Sequence, residues 1–275
     1  QQLDVFSSVP LEGNPLAVFA DGRGLTGEQM QAVAREMNLS ETTFILPRDA
    51  AIEREQGVHV RIFTVVEELP FAGHPTLGTA MVIHARTGAE TVHLDLKGGR
   101  IPVRFSVKDG LPFGEMTQRA PEFGMIHARE DVARAAGLAI EEISDDVPVQ
   151  TVSTGLPSAI VPLRSLAVLQ KLAPNFSVMN AYFEKTGTKW IYFISRETLN
   201  PGAQLQARMI FSHGEDPATG SAAGPCAAWA AQYGVITPER QALIEQGVEM
   251  KRRSRIYITA GRDDGKVVNI RVAGH

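Results

Sequence analysis

The chain has 275 residues and a mass of 29.8 kDa, enough for one large domain or two ordinary ones. Its 44% hydrophobic and 21% charged residues are typical of a globular protein, and its net charge of −4 provides no basic surface for nucleic acid. The single cysteine, Cys226, excludes an intrachain disulfide and a thiolate-rich metal site. We read no targeting leader and no apolar run of roughly 20 residues that could span a membrane, so we expect a cytoplasmic protein.

The first predicted elements are two short strands followed by a glycine-rich segment. Gly22-Arg23-Gly24-Leu25-Thr26-Gly27 has the spacing of a dinucleotide-binding fingerprint, and Asp49 lies at the distance of its ribose-binding acid. However, Thr26 and Gln29 form a capping box, so the helix is expected to begin too late for the second glycine to present its amide to a pyrophosphate. We therefore predict a turn at this segment and keep an NAD-dependent oxidoreductase only as a remote alternative.

The next helix and strand contain one acid of interest. The apolar residues of the helix share one face and are expected to be core: Met30, Val33, Ala34 and Met37. Asn38 is expected to end the helix, and Glu41 starts the strand that follows. An acid at the start of a strand is most often solvated, so the residues alone assign Glu41 no catalytic role.

The segment from Glu68 to Ala80 is repeated at residues 215 to 224. At a constant offset of 147 positions, glutamate, proline and glycine coincide, and the preceding strands also align, Arg61 with Arg208. In each copy an apolar strand leads into a Pro/Gly loop and then into a helix of small residues. A repeat of this length predicts two related halves whose loop-to-helix junctions form one shared site.

The remaining segments are mostly β in pattern. An Asp109-Gly110 turn between two runs of alternating apolar and polar residues predicts a hairpin. The segment around Pro121 is the expected boundary between the two halves. We therefore predict an N-terminal half at residues 1–117 and a C-terminal half at 118–275, with the final strand returning to the first half. Because each half has strands and one helix rich in alanine and glycine, each sheet is expected to curl around its own buried helix.

The two loop-to-helix junctions are candidate binding sites. Backbone amides at a helix start favour an anion such as a carboxylate, and Gly73 and Gly220 allow a ligand to approach the backbone closely. His74 is expected to titrate near neutrality and so to suit proton chemistry, although it could be only a helix-start residue. Asp216 before a proline fits a helix N-cap, and Ser221 could also be a cap.

The other side chains at these junctions have ordinary interpretations. Glu67, Glu68 and Glu215 are expected to be ordinary loop acids. Cys226 is expected to be a small core residue of the second helix.

Four segments of the chain resemble the PhzF family, and they extend from the N-terminus nearly to the end. They are residues 8–15 (SVPLEGNP), 34–41 (AREMNLSE), 68–74 (ELPFAGH) and 215–224 (EDPATGSAAG). The resemblance implies an α+β, diaminopimelate epimerase-like fold with two pseudo-symmetric halves. Each half would be a curved, mostly antiparallel sheet wrapped around a central helix, with the active site between the halves. It also implies a homodimer.

The resemblance implies a catalytic carboxylate as well, and it falls on Glu41. His74 and Asp216 match the supporting catalytic residues of the pattern, Ser221 matches a substrate-binding residue, and Gly73 and Gly220 match its amide donors. The epimerases with this fold use a cysteine after each strand, and these loops have none, so two-thiol racemisation is excluded.

The implied activity is that of a cofactor-independent isomerase acting on a small carboxylic acid. Glu41, with a pKa tuned toward neutrality, would move a proton between carbons of a cyclic conjugated acid such as trans-2,3-dihydro-3-hydroxyanthranilate. A non-catalytic protein of the same fold that binds a small acid is the second hypothesis. The motifs indicate the type of reaction better than they indicate the substrate.

Overall fold

A computed structural model describes every residue from Gln1 to His275, and the chain divides into two units of mixed strands and helices. Unit 1 comprises Gln1–Thr117 with Val272–His275, and unit 2 comprises Gln118–Arg271. None of the helices is both long and apolar enough to cross a lipid bilayer.

Unit 1 contains eight strands and three helices. The strands are β1 (Gln2–Val5), β2 (Asn14–Phe19), β3 (Glu41–Leu46), β4 (Val58–Phe63), β5 (Glu68–Leu69), β6 (Thr91–Leu96), β7 (Gly99–Lys108) and β8 (Leu111–Thr117). The helices are α1 (Gly27–Met37), α2 (Ala50–Gln56) and α3 (Gly73–Thr87).

The sheet of unit 1 is mostly antiparallel. β1 pairs with β2, β3 with β4, β4 with β5, β6 with β7, and β7 with β8, all antiparallel, whereas β2–β3 and β4–β6 are parallel. The predicted Asp109-Gly110 hairpin is present, with positive φ at both turn residues and Lys108 opposite Leu111. α1 covers one face of the sheet, where Met30 and Ala34 pack with Phe44.

Helix α3 is the core of unit 1. Ten of its fifteen residues are buried, so it lacks the polar face of a surface helix. Small residues allow the strands to approach it. A Cβ at Gly78 would lie 2.7 Å from side-chain carbons of both Val5 and Leu16. The sheet therefore wraps closely around α3, as the composition of this helix predicts.

Unit 2 contains nine strands and four α-helices. The strands are β9 (Glu122–Ile126), β10 (Gln150–Ser153), β11 (Pro157–Leu163), β12 (Trp190–Ser195), β13 (Leu205–Phe211), β14 (Gly214–Asp216), β15 (Ala242–Gln246), β16 (Ser254–Asp263) and β17 (Lys266–Gly274), the last of which ends in unit 1. The helices are α4 (Arg129–Ala136), α5 (Leu166–Lys171), α6 (Phe176–Thr186) and α7 (Gly220–Gln232), and a short 3-10 helix spans Ile140–Glu142.

The strand pattern of unit 2 repeats that of unit 1. β10 and β11 are antiparallel, β11–β12 are parallel, β12–β13 antiparallel, β13–β15 parallel and β15–β16 antiparallel. Helix α7 takes the place of α3, and eleven of its thirteen residues are buried. Helices α4, α5 and α6 pack on the other face of the sheet through a separate apolar cluster. Each unit is thus a curved sheet around one buried helix, which is the diaminopimelate epimerase-like α+β fold.

An arginine–glutamate ion pair stabilises the hairpin before each buried helix, at equivalent positions in the two units. Arg61 on β4 donates two hydrogen bonds to Glu68 on β5, at 2.8 and 2.9 Å. Arg208 on β13 donates two to Glu215 on β14, at 2.9 and 2.7 Å. The prediction that Glu68 and Glu215 are ordinary loop acids is therefore wrong, because both lie on strands and form bidentate ion pairs.

Helices α2 and α6 do not correspond to elements predicted from the sequence. Helix α2 has no buried residues, so it has no apolar stripe that could reveal it; Asp49 caps it by accepting a hydrogen bond from the amide of Ala51. Helix α6 does have apolar residues at helical spacing, Met179, Tyr182 and Phe183, and this spacing is a signal that predicts a helix.

Candidate active site

Glu41 is the first residue of β3, and its side chain is only 15% exposed. Side chains two residues apart lie on the same face of a strand. Thr43 shares the face of Glu41, and its hydroxyl meets that of Thr79 on α3 at 2.8 Å. Glu41 therefore lies on the face of β3 that is turned toward the buried helix.

His74 is the second residue of α3, and its side chain is 4% exposed. Removal from water disfavours the charged form, so burial lowers the pKa of His74 from 6.5 to about 3. The expectation that this histidine titrates near neutrality is therefore wrong. At neutral pH the imidazole is uncharged.

These two side chains contact each other. Nε2 of His74 lies 3.4 Å from Oε2 of Glu41, although 33 residues separate them in the sequence. Because the ring is neutral at pH 7, the contact joins an imidazole to a carboxyl group without an ion pair. At 3.4 Å the two atoms are in close contact, but they do not form a hydrogen bond with each other.

The hydroxyl pair of Thr43 and Thr79 connects the same two elements that carry Glu41 and His74. Both threonines are fully buried, so their hydrogen bond has no competition from water. It fixes the position of β3 relative to α3. The separation between the carboxyl group and the imidazole depends on that position.

Asp216 is the last residue of β14. The expectation that it caps a helix with Pro217 as the first helical residue is wrong, because α7 begins at Gly220 and its N-cap is Thr219. Oδ2 of Asp216 instead accepts a hydrogen bond of 2.5 Å from the hydroxyl of Thr219. The loop from Pro217 to Thr219 therefore separates Asp216 from helix α7, and Asp216 is not part of the helix.

The two glycines occupy equivalent positions in the two units. Gly73 is the first residue of α3, Gly220 is the first residue of α7, and both are buried. Neither helix has a hydrogen-bonded side-chain cap, which leaves the first turn to backbone partners or a ligand. Ser221 is the second residue of α7, so the reading of Ser221 as a cap is wrong.

The glycine-rich segment near residue 22 does not have the geometry of a nucleotide fingerprint. Helix α1 begins at Gly27, with the predicted capping box of Thr26 and Gln29. The second glycine, Gly24, precedes the helix in a turn, with φ of +83°. Asp49 caps α2 and is thus engaged elsewhere.

Two further buried side chains, those of Cys226 and Gln246, lie in unit 2. Cys226 is fully buried in α7, and burial raises the pKa of its thiol far above the ordinary value, which keeps it protonated. Gln246, which the sequence analysis missed, is fully buried and hydrogen-bonded to Thr219 beside Asp216. A glutamine at the end of a strand carries no signal in the sequence that would mark it.

A family model described as "Phenazine biosynthesis-like protein" (PhzC-PhzF) matches residues 3–275. One relative is the trans-2,3-dihydro-3-hydroxyanthranilate isomerase of Pseudomonas aeruginosa, which is 35% identical over 99% of this chain and 94% of its own length. A solved PhzF-family phenazine biosynthesis protein of Bacillus anthracis has a TM-score of 0.89 and 29% identity, and the match covers 99% of this chain and 94% of that one.

The fold extends to more distant proteins. A hydroxyproline epimerase of Agrobacterium vitis has a TM-score of 0.64 at 12% identity, over 100% of this chain and 89% of that one. At this identity the likeness concerns the fold alone.

Proposed function

Since the chain belongs to the PhzC-PhzF family of phenazine biosynthesis-like proteins and is an isomerase, we propose that it moves a proton between two carbons of a small cyclic conjugated acid. Trans-2,3-dihydro-3-hydroxyanthranilate, the compound in the names of three relatives, is the first candidate substrate. The observation that carries the proposal is the contact between Glu41 and His74 at 3.4 Å.

The proposed reaction uses one carboxyl group twice. Glu41 as carboxylate removes a proton from a carbon next to the conjugated system, and the electron pair of the broken C–H bond is delocalised into that system. Glu41 as carboxylic acid then returns the proton to a different carbon, and the double bonds shift. Substrate and product have the same atoms and the same oxidation state, so no external oxidant or reductant is needed.

His74 supports this cycle as a neutral ring. A protonated imidazole beside Glu41 would stabilise the carboxylate and oppose its protonation in the first half of the cycle. The low pKa of His74 removes that charge at neutral pH. The neutral ring packs against the carboxyl group at 3.4 Å and leaves it free to change its protonation state.

The remaining proposed residues bind the substrate. The carboxylate of Asp216 accepts a hydrogen bond from an amino or hydroxyl group of the substrate. The amides at Gly73 and Gly220, each the first residue of a buried helix, and the hydroxyl of Ser221 offer donors to an anionic substrate group. The positions of these residues at the starts of the two buried helices support the assignment.

The direct test is turnover of trans-2,3-dihydro-3-hydroxyanthranilate by Glu41→Gln. This variant keeps the shape of the side chain but cannot exchange a proton, and we expect kcat to fall by about a hundredfold or more. Calorimetry with the substrate or its analogue is expected to show retained binding, which separates loss of catalysis from loss of the site.

The matched control is Glu67→Gln, the same substitution at an exposed glutamate of unit 1. It is expected to have the turnover of the wild type. If Glu41→Gln is as active as this control on a substrate that the wild type converts, Glu41 is not the base. If the wild type binds the acid and never converts it, the proposed substrate is wrong.

A further inference from the structure

Gln246, the last residue of β15, is fully buried and makes hydrogen bonds to two positions on either side of Pro217. Its orientation follows from two backbone partners. The amide of Thr219 can only donate, so the atom that it meets at 3.1 Å is the carbonyl oxygen Oε1. The carbonyl of Asp216 can only accept, so the atom at 2.7 Å is the amide nitrogen Nε2.

Two hydroxyl groups complete the contacts of this glutamine. The hydroxyl of Tyr192 donates to Oε1 at 2.9 Å, and burial raises the pKa of Tyr192 well above its ordinary value, so the phenol remains a donor. Nε2 also donates to Oγ1 of Thr219 at 3.0 Å. Both hydrogens of the amide and both lone pairs of its oxygen are therefore engaged, and a rotation of the side chain would break all four bonds.

The glutamine also determines the direction of the next hydrogen bond. Because Nε2 donates to Oγ1 of Thr219, the hydroxyl accepts on that side and its own hydrogen is available elsewhere. This hydrogen points to Oδ2 of Asp216, which lies 2.5 Å from Oγ1 of Thr219. The carboxyl oxygen of Asp216 is thus held through Thr219, and its backbone carbonyl is held by Gln246 directly.

We propose that Gln246 and Thr219 are positioning residues that hold the Asp216 carboxylate in the orientation in which it receives the substrate. This inference rests on the proposed function, in which Asp216 binds a polar group of the substrate. β14 ends at Asp216 and α7 begins only at Gly220. Asp216 is paired with Met209 at the end of the sheet ladder, and the chain leaves the ladder directly after it. The orientation of its carboxylate therefore depends on side-chain hydrogen bonds from the loop that follows.

The test compares Thr219→Val with Thr219→Ser. Valine keeps the branched shape and the backbone amide that Gln246 binds, but it lacks the hydroxyl. We expect kcat with trans-2,3-dihydro-3-hydroxyanthranilate to fall by about tenfold to a hundredfold, the cost of a misplaced polar group. Serine keeps the hydroxyl and is expected to restore kcat to within about threefold of the wild type.

The control for lost stability is Thr151→Val, which also removes a threonine hydroxyl of unit 2, the one that meets Nε2 of His127 at 2.7 Å. It is expected to lower the unfolding temperature and leave kcat unchanged. If Thr219 has only a structural role, Thr219→Val will also lower the unfolding temperature and leave kcat of the folded protein normal. That result would overturn the inference.

The double variant with Asp216→Asn distinguishes this inference from the proposed function. If Thr219 acts only through Asp216, adding Thr219→Val to Asp216→Asn lowers kcat no further. If the double variant instead shows the full loss of kcat of both single variants combined, Thr219 acts independently of Asp216, and the positioning role is refuted. If Asp216→Asn alone turns over normally, the role of Asp216 in the proposed function fails, and the inference fails with it. If Asp216→Asn is slow and Thr219→Val is normal, only the inference fails.

Discussion

The neutral state of His74 has a measurable consequence for stability, which the variant His74→Gln tests. The folded chain leaves the ring unprotonated down to a pH of about 3, whereas the unfolded chain binds a proton below a pH of 6.5. Within this window the unfolded state binds more protons than the folded state. Folding stability therefore falls as the pH is lowered, and it rises again with pH.

The magnitude follows from the two pKa values. A site with a pKa of 6.5 unfolded and about 3 folded costs the folded state about 2 kcal/mol when the pH is lowered from 7 to 5. Most carboxyl groups that titrate in the same interval are present in both the wild type and the variant, so their effect cancels in the difference. The wild type is thus expected to lose about 2 kcal/mol more stability over this interval than His74→Gln.

Urea unfolding followed by circular dichroism at pH 7 and pH 5 measures this difference. His213→Gln, at an exposed position in the loop between β13 and β14, is the control for the loss of a histidine that is not buried. Equal losses of stability in the wild type and His74→Gln would mean that His74 protonates in the folded chain near its ordinary pKa. The account of a neutral imidazole beside Glu41 would then be wrong.

Three further predictions concern packing, buried hydroxyl groups and assembly. Gly224→Ala would place a Cβ 1.8 Å from Oε1 of Gln118 and 2.9 Å from Oγ1 of Thr154, and displacing these buried side chains is expected to cost about 1–3 kcal/mol in urea unfolding despite the better helix propensity of alanine. In a Gln118→Ala background the cost is expected to be smaller, because only the hydroxyl of Thr154 then obstructs the new methyl group. Thr43→Val leaves the hydroxyl of Thr79 without its partner, with an expected loss of about 1–2 kcal/mol, whereas replacing both threonines by valine is expected to be less costly than replacing Thr43 alone. The homodimer that the family resemblance implies is expected to show twice 29.8 kDa in light scattering at micromolar concentration, and a mass of 29.8 kDa would contradict that expectation.

Local signals predicted much of the fold. The capping box of Thr26 and Gln29, the turn at Asp109-Gly110 and the small residues of the two buried helices are each determined within a few residues of sequence. The repeat at an offset of 147 positions also has a structural counterpart. In both units, the hairpin register, the arginine–glutamate pair and the first residue of the buried helix follow the same offset.

The site was less accessible to such reasoning. Glu41 was assigned through a resemblance to a family, because neither its position at a strand start nor its neighbours distinguish it from a solvated acid. Its contact with His74 depends on the packing of β3 against α3, which no local pattern encodes. The low pKa of His74 likewise follows from tertiary burial, and the hydrogen bonds of Gln246 join residues 27 and 30 positions apart.

The central claim is that one carboxyl group both removes and returns the proton, and the fate of a label tests it most directly. A substrate carrying deuterium at the carbon that loses its proton is turned over in ordinary water, and the early product is examined by mass spectrometry and NMR. Because the side chain of Glu41 is only 15% exposed, return to the substrate competes with exchange into water. The account predicts that a measurable part of the deuterium appears at the carbon that gains the proton. A product without deuterium at that carbon, even from the first turnovers, would mean that the abstracted proton is lost to water or that a different group delivers the new one. Either case would contradict direct return of the proton by this carboxyl group.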